Sequence, residues 1–203
     1  MLDAALIKEC ADPSLKPAIV EQFVAAVGSQ DPLAISVKSG GRLILIPKAT
    51  TADEAMKIIR QNVGHAVVRV GLTQFPAGVA ARDASELKPD LVEPCANLRM
   101  GTAMFAKILR IVSKWYGNPE SEEVFPQIFD DAVYTWKTGE FEGESAFQAE
   151  DPGGPLAEQP NGVVQRVAPT TADQPVEPAA SSQSKVQDAG IRIDLSRIGE
   201  KKN

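Results

Sequence analysis

VEQFVAAVGSQDPLAI, residues Val20–Ile35, is an apolar helical run that stops at a turn. Ile19, Phe23, Ala26 and Val27 recur at helical spacing, so one face of this run points into a core that closes around it. Gly28-Ser29-Gln30 ends the helix, and Asp31-Pro32 turns the chain into Leu33-Ala34-Ile35. A helix end that opens into a cleft is a common place for a catalytic acid. The last helical turn here, Ala25-Ala26-Val27, carries no titratable side chain.

Toward the N-terminus, Leu2–Cys10 is a short amphipathic segment, and Asp12-Pro13-Ser14 breaks it. Ser14 is positioned to cap the next helix, Ala18–Val27, with Pro17 tolerated in its first turn. In the other direction, Ala34–Lys38 and Arg42–Ile46 are two β-prone runs around Ser39-Gly40-Gly41, the pattern of a hairpin. Thr51 and Glu54 have capping-box spacing and start a helix to about Asn62. Gly64–Phe75 reads as irregular to extended, and Ala80–Pro94 as polar. Asn97 is placed to cap a long helix to about Tyr116, with Leu98, Phe105, Ile108, Leu109, Val112 and Trp115 as its buried stripe. Glu122–Trp136 is a last helix, closed by Thr138-Gly139. These elements predict an α+β, mainly α, domain over residues 1–148 with a small β-hairpin. From 149 to 203 prolines sit among Gly, Ser, Gln and Ala with few aromatics, a composition that buries too little apolar surface to offset ordering entropy. A disordered tail is expected there. Its end alternates Ile191, Ile193 and Leu195 with polar residues, the pattern of a short docking strand or simply of a tail with some aliphatics.

The net charge of −6 argues against a nucleic-acid binder, which needs a concentrated positive surface. No run approaches the roughly 20 apolar residues that span a bilayer, so no transmembrane segment is expected. Met1–Cys10 has no basic start followed by an apolar run, so no secretory signal is read. Cys10 and Cys95 permit one disulfide in an exported protein, or two buried thiols otherwise. His65 is the only histidine and, with the two cysteines, lacks the close ligand spacing of a zinc site, so no metal or other cofactor is expected. Ser39-Gly40-Gly41 lacks the Gly-Lys-Ser/Thr of a phosphate-binding loop. Arg99, Lys107, Arg110 and Lys114 fall within about 80° of one another on the long helix. They form either a solvated face or a contact for an acidic partner or the anionic cell wall.

Several phrases in order carry a resemblance. They are Cys10-Ala11, Asp31-Pro32-Leu33-Ala34-Ile35, Gly64-His65, Gly71-Leu72-Thr73-Gln74-Phe75, Pro94-Cys95-Ala96-Asn97-Leu98-Arg99 with Gly101, and Trp136-Lys137-Thr138-Gly139. Together they resemble the lytic transglycosylases of type IV secretion and conjugation systems, and more narrowly the conjugal transfer protein TraH family of plasmid mating-pair systems. The resemblance implies a lysozyme-like fold and muramidase-type chemistry on peptidoglycan, in which one glutamic acid in a partly apolar cleft protonates the glycosidic oxygen. It places that acid at Val27, or at Gly28 with a one-residue gap, and neither donates a proton.

Two other carboxylates are weak candidates for the catalytic acid. Glu21 lies six residues before Val27, a rotation of about 120° and about 9 Å along the axis, which points it from a different face. Asp31 lies in the turn itself, where an Asp more often caps the backbone. By the same resemblance Gln74, Leu72 and Trp136 line a glycan cleft, with Trp136 offering a stacking surface where the family has Tyr. Thr73 stands where the family has Met. Cys10 and Cys95 each match a family cysteine, which implies that they lie within disulfide range.

The expectation is thus an accessory protein of conjugative plasmid DNA transfer that binds peptidoglycan or other conjugation-system proteins without cleaving glycan. An active transglycosylase with a displaced acid is the alternative, and a cytoplasmic adaptor reusing the fold is a third. The resemblance implies a periplasmic or envelope location, while the unread signal keeps the cytoplasm open.

Overall fold

A computed structural model of the protein describes residues 2–81, 83–156 and 159–161. Residues 162–203, including the Ile191–Leu195 segment, lie outside the described residues. The described residues belong to one compact unit, and they form six α-helices: α1 (Ala4–Cys10), α2 (Pro17–Val27), α3 (Ala52–Asn62), α4 (Ala77–Ala80), α5 (Pro94–Trp115) and α6 (Phe125–Thr138).

The core does close around α2. Ile19, Val20 and Phe23 have no exposed surface. Burying each of these side chains is worth about 1.5–3 kcal/mol. Phe23 stacks on Phe105 of α5 with centroids 4.0 Å apart and meets Trp136 of α6 edge-on at 5.0 Å. Pro17 starts α2 after Lys16, with no side-chain cap. The expected Ser14 cap is absent because its N–H and hydroxyl both donate to Asp12 Oδ1, at 2.9 and 2.5 Å.

The hairpin is present as β1 (Ile35–Ser39) and β2 (Arg42–Ile44), turning through Gly40 and Gly41 at φ 56° and 77°. It is half of a larger antiparallel sheet. β3 (Val67–Val70) and β4 (Phe75–Pro76) complete the order β2-β1-β3-β4, so the stretch read as irregular to extended supplies one whole strand and the start of another. The physical reason lies in Val-Val-Arg-Val. Val68 and Val70 turn inward with Val37 at 2 % exposure or less, while Arg69 and Val67 face away. β5 (Glu140–Phe141) and β6 (Glu144–Ser145) make a second, two-stranded hairpin after α6, whose C-cap is Gly139 at φ 86°.

Three further expectations change. Glu93 caps α5, its carboxylate accepting from the N–H groups of Cys95 (3.2 Å) and Ala96 (2.5 Å), whereas Asn97 is buried one turn further on. Trp115 is 59 % exposed, because α5 runs past the core at its C-terminal end and leaves the indole edge-on to Phe141. The boundary expected at 148/149 falls inside the packed unit. Leu156 packs on the core, Asp151 pairs with Arg110, and the buried Gln159 donates to Ser14 O and accepts from Lys16 N, each at 2.8 Å.

Candidate functional site

The C-terminal half of α2 borders a groove of about 580 Å³, lined by Leu2, Ala4, Glu21, Val24, Gly28 and Ser29 among others. Val27 is partly buried and packs against the core. Gly28 donates its N–H to Val24 O at 2.8 Å, and Ser29 donates to Leu72 O at 2.9 Å. A Cβ at residue 28 would stand 2.1 Å from that Leu72 oxygen. The two positions to which the resemblance assigns the acid are therefore a packed valine and a glycine with no room for any side chain.

Glu21 is better placed than its offset from Val27 implies. Measured from Gly28 the offset is seven residues, about 20° of rotation, so Glu21, Ala25 and Gly28 share one helix face. All three line the groove. The expectation that Glu21 projects elsewhere is corrected, and it stands as an exposed carboxylate at the rim. Asp31 is a turn residue, as its position suggests. Its Oδ1 accepts from Leu33 N at 2.9 Å, and its carboxylate pairs with Lys48 at 3.3 Å.

The loop between β3 and β4 was expected to line a glycan cleft, but it faces inward. Leu72 is 3 % exposed and Thr73 fully buried. Asn97 holds them: its Oδ1 accepts from Thr73 N and Oγ1 at 3.0 Å, and its Nδ2 donates to Val70 O (3.0 Å) and Leu91 O (2.8 Å). All of the amide's capacity to bind the loop is used, which is what makes a buried Asn tolerable. Gly71, at φ 74°, sits so close that a Cβ would meet the Asn97 amide at 2.4 Å. Gln74 is half-buried at φ 50°. Its Oε1 accepts from Ser36 Oγ at 2.8 Å and its Nε2 donates to Gly71 O at 3.1 Å, so it braces its own loop.

Trp136 has no exposed surface and spends its faces on Phe23, Phe75, Phe105 and Phe147. Neither Leu72 nor Trp136 offers a surface to a sugar, because both were needed to fill the core.

Sequence reasoning passed over Arg69. Its guanidinium donates to Gln74 O (3.3 Å), Trp136 O (2.5 Å) and Lys137 O (3.1 Å), and lies 5.8 Å from the Phe147 ring centre. Burial lowers its pKa from the usual arginine value, while the carbonyls at the end of α6 favour the cation. The one signal was a lone arginine in a valine strand.

Two residues of the basic stripe of α5 serve this chain itself, and Lys114 is exposed. Lys107 donates to Phe147 O (3.0 Å) and Ala149 O (2.8 Å), and Arg110 grips Asp151 through two hydrogen bonds. Arg99 lies against the sulfur of Cys95. Cys10 and Cys95 are joined in a disulfide with Cα atoms 5.1 Å apart, as the resemblance implied. Among the described residues no group of three or more His, Cys, Asp or Glu is arranged to hold a metal ion. No helix there is long and apolar enough to cross a membrane.

Comparison with known proteins gives two findings. The TraH_2 family model matches residues 1–200. Uncharacterized protein y4dP of Sinorhizobium fredii (strain NBRC 101917 / NGR234) is 66 % identical over 203 residues, covering 98 % of this chain and 99 % of that protein. No solved structure matches.

Proposed function

We propose, from the premise that this chain belongs to the TraH_2 family of conjugal transfer proteins, that it is a non-catalytic accessory component of conjugative DNA transfer on a lysozyme-like frame. The observation that carries the non-catalytic assignment is the closure of residue 28 against the Leu72 carbonyl, beside a valine at 27. A general acid of the transglycosylase kind needs an enclosed carboxyl at that helix end. A peptidoglycan strand, in this reading, is held in the groove beside α2 and not over Leu72 or Trp136. The Cys10–Cys95 disulfide supports work in an oxidising compartment such as the cell envelope.

The test has two measurements. Deleting the gene from the donor should lower mating frequency, and full-length protein should restore it. Purified protein incubated with sacculi should sediment with them and release no muropeptides. Unchanged mating frequency on deletion would remove the transfer role.

One observation favours a second reading, an active enzyme: Glu21 lines the same groove as Gly28 and Ser29. Muropeptide release that disappears in Glu21→Gln would establish it in place of the first.

A further inference from the structure

The β1–β2 hairpin and the β5–β6 hairpin carry opposite charge and exposed apolar side chains. β2 ends the order β2-β1-β3-β4, so among the described residues the backbone groups on its outer side have no strand partner. Leu43 is 68 % exposed, Ile44 40 % and Leu45, just beyond the strand, 98 %. The pairing Lys38↔Leu43 and Lys38↔Val67 puts Leu43 and the exposed Val67 on one face, with Lys38 between them. Ser36–Lys48 holds Lys38, Arg42 and Lys48 and no acid. Lys48 is paired with Asp31, whereas Lys38 and Arg42 form no ion pair among the described residues. Native edges are usually blunted by proline, a bulge or a covering segment. This one ends on Pro47 only after the leucines.

The opposite character sits after α6. Glu140, Glu142 and Glu144 lie on an exposed hairpin with no ion pair among the described residues. Phe141 there meets Trp115 edge-on, and Trp115 and Tyr134 are 59 % and 66 % exposed. An anionic patch with aromatic side chains is the complement of a cationic edge with aliphatic ones.

We propose that the β2 edge of one copy of this chain docks on the β5–β6 end of a second copy. Lys38 and Arg42 face Glu142 and Glu144 of the second copy, and Leu43 and Leu45 cover its Trp115 and Phe141. A lipid surface suits the edge less well. It matches the cations and leucines but leaves the acidic, aromatic β5–β6 end without a counterpart.

Sedimentation velocity of the full chain tests the pairing. The wild type should gain mass with protein concentration and lose it with added salt, since the contact is ionic at its rim. Lys38→Glu/Arg42→Glu and, separately, Glu142→Lys/Glu144→Lys should each weaken association by about tenfold or more. Mixing the two variants should restore it, because each then supplies the charge the other lacks. All four positions are exposed, and circular dichroism of each variant should overlay the wild type. A wild type that stays monomeric, or one whose association ignores both variants, overturns the proposal. So does a monomer that cosediments with anionic phospholipid vesicles through Lys38 and Arg42, which would assign the edge to a membrane.

Discussion

A methyl group at residue 28 would stand 2.1 Å from the Leu72 oxygen and 2.8 Å from the Val24 oxygen. Both are backbone atoms, so relief requires moving α2 or the 71–74 loop. Gly28→Ala should therefore cost about 1–3 kcal/mol, seen as a lower urea midpoint at unchanged slope. Glu21→Gln, on the exposed rim of the same groove, should stay within about 0.5 kcal/mol of wild type. The lack of an acid at residues 27 and 28 was readable from the chain. The reason no acid could be restored at 28 was not, because the blocking oxygen belongs to a loop far downstream. Leu72 and Trp136 show the converse difficulty. An apolar or aromatic residue in a family phrase reads the same whether it faces ligand or core, and only the packing of Phe23, Phe105 and Trp136 distinguishes them.

Among the elements, α2, the β1–β2 hairpin, α3 and α6 followed from spacing, capping residues and glycine turns. β3 was legible only as extended chain, because four residues ending at a glycine give a weak periodic signal and their pairing with β1 is a tertiary fact. The segment 149–161 was missed because its composition is that of a linker, yet Lys107, Arg110, Ser14 and Lys16 supply fixed partners. The Arg110 guanidinium holds the Asp151 carboxyl below the usual carboxylate value. A carboxylate lowered on folding stabilises above its unfolded pKa, and the contribution fades as pH falls through the lowered one. Backbone amides of 149–156 should thus exchange faster with solvent as pH drops below about 4, after correction for intrinsic rates. Arg110→Ala should show that faster exchange already at neutral pH and lose the acid dependence. Equal protection in wild type and Arg110→Ala would show that the ion pair does not hold the segment.

For the molecule as a whole, the disulfide between α1 and α5 encloses α2, α3, α4 and the entire four-stranded sheet. Constraining so long a loop in the unfolded chain stabilises the fold by about 2–5 kcal/mol. Cys10→Ser/Cys95→Ser should melt at a clearly lower temperature than the oxidised wild type and match the wild type held in reductant. Coincident melting of oxidised and reduced wild type would show that the bond adds nothing.

The same bond governs what a pulling force can do. Tension applied at residue 161 and at the start of α1 acts across the Gln159 contacts with Ser14 and Lys16. Once the domain gives way, the chain between Cys10 and Cys95 stays out of the extended length, withholding roughly 290 Å of contour across a separation of 85 residues. A machine that moves polypeptide as a single thread would meet a closed loop here, which reduction of Cys10–Cys95 would open.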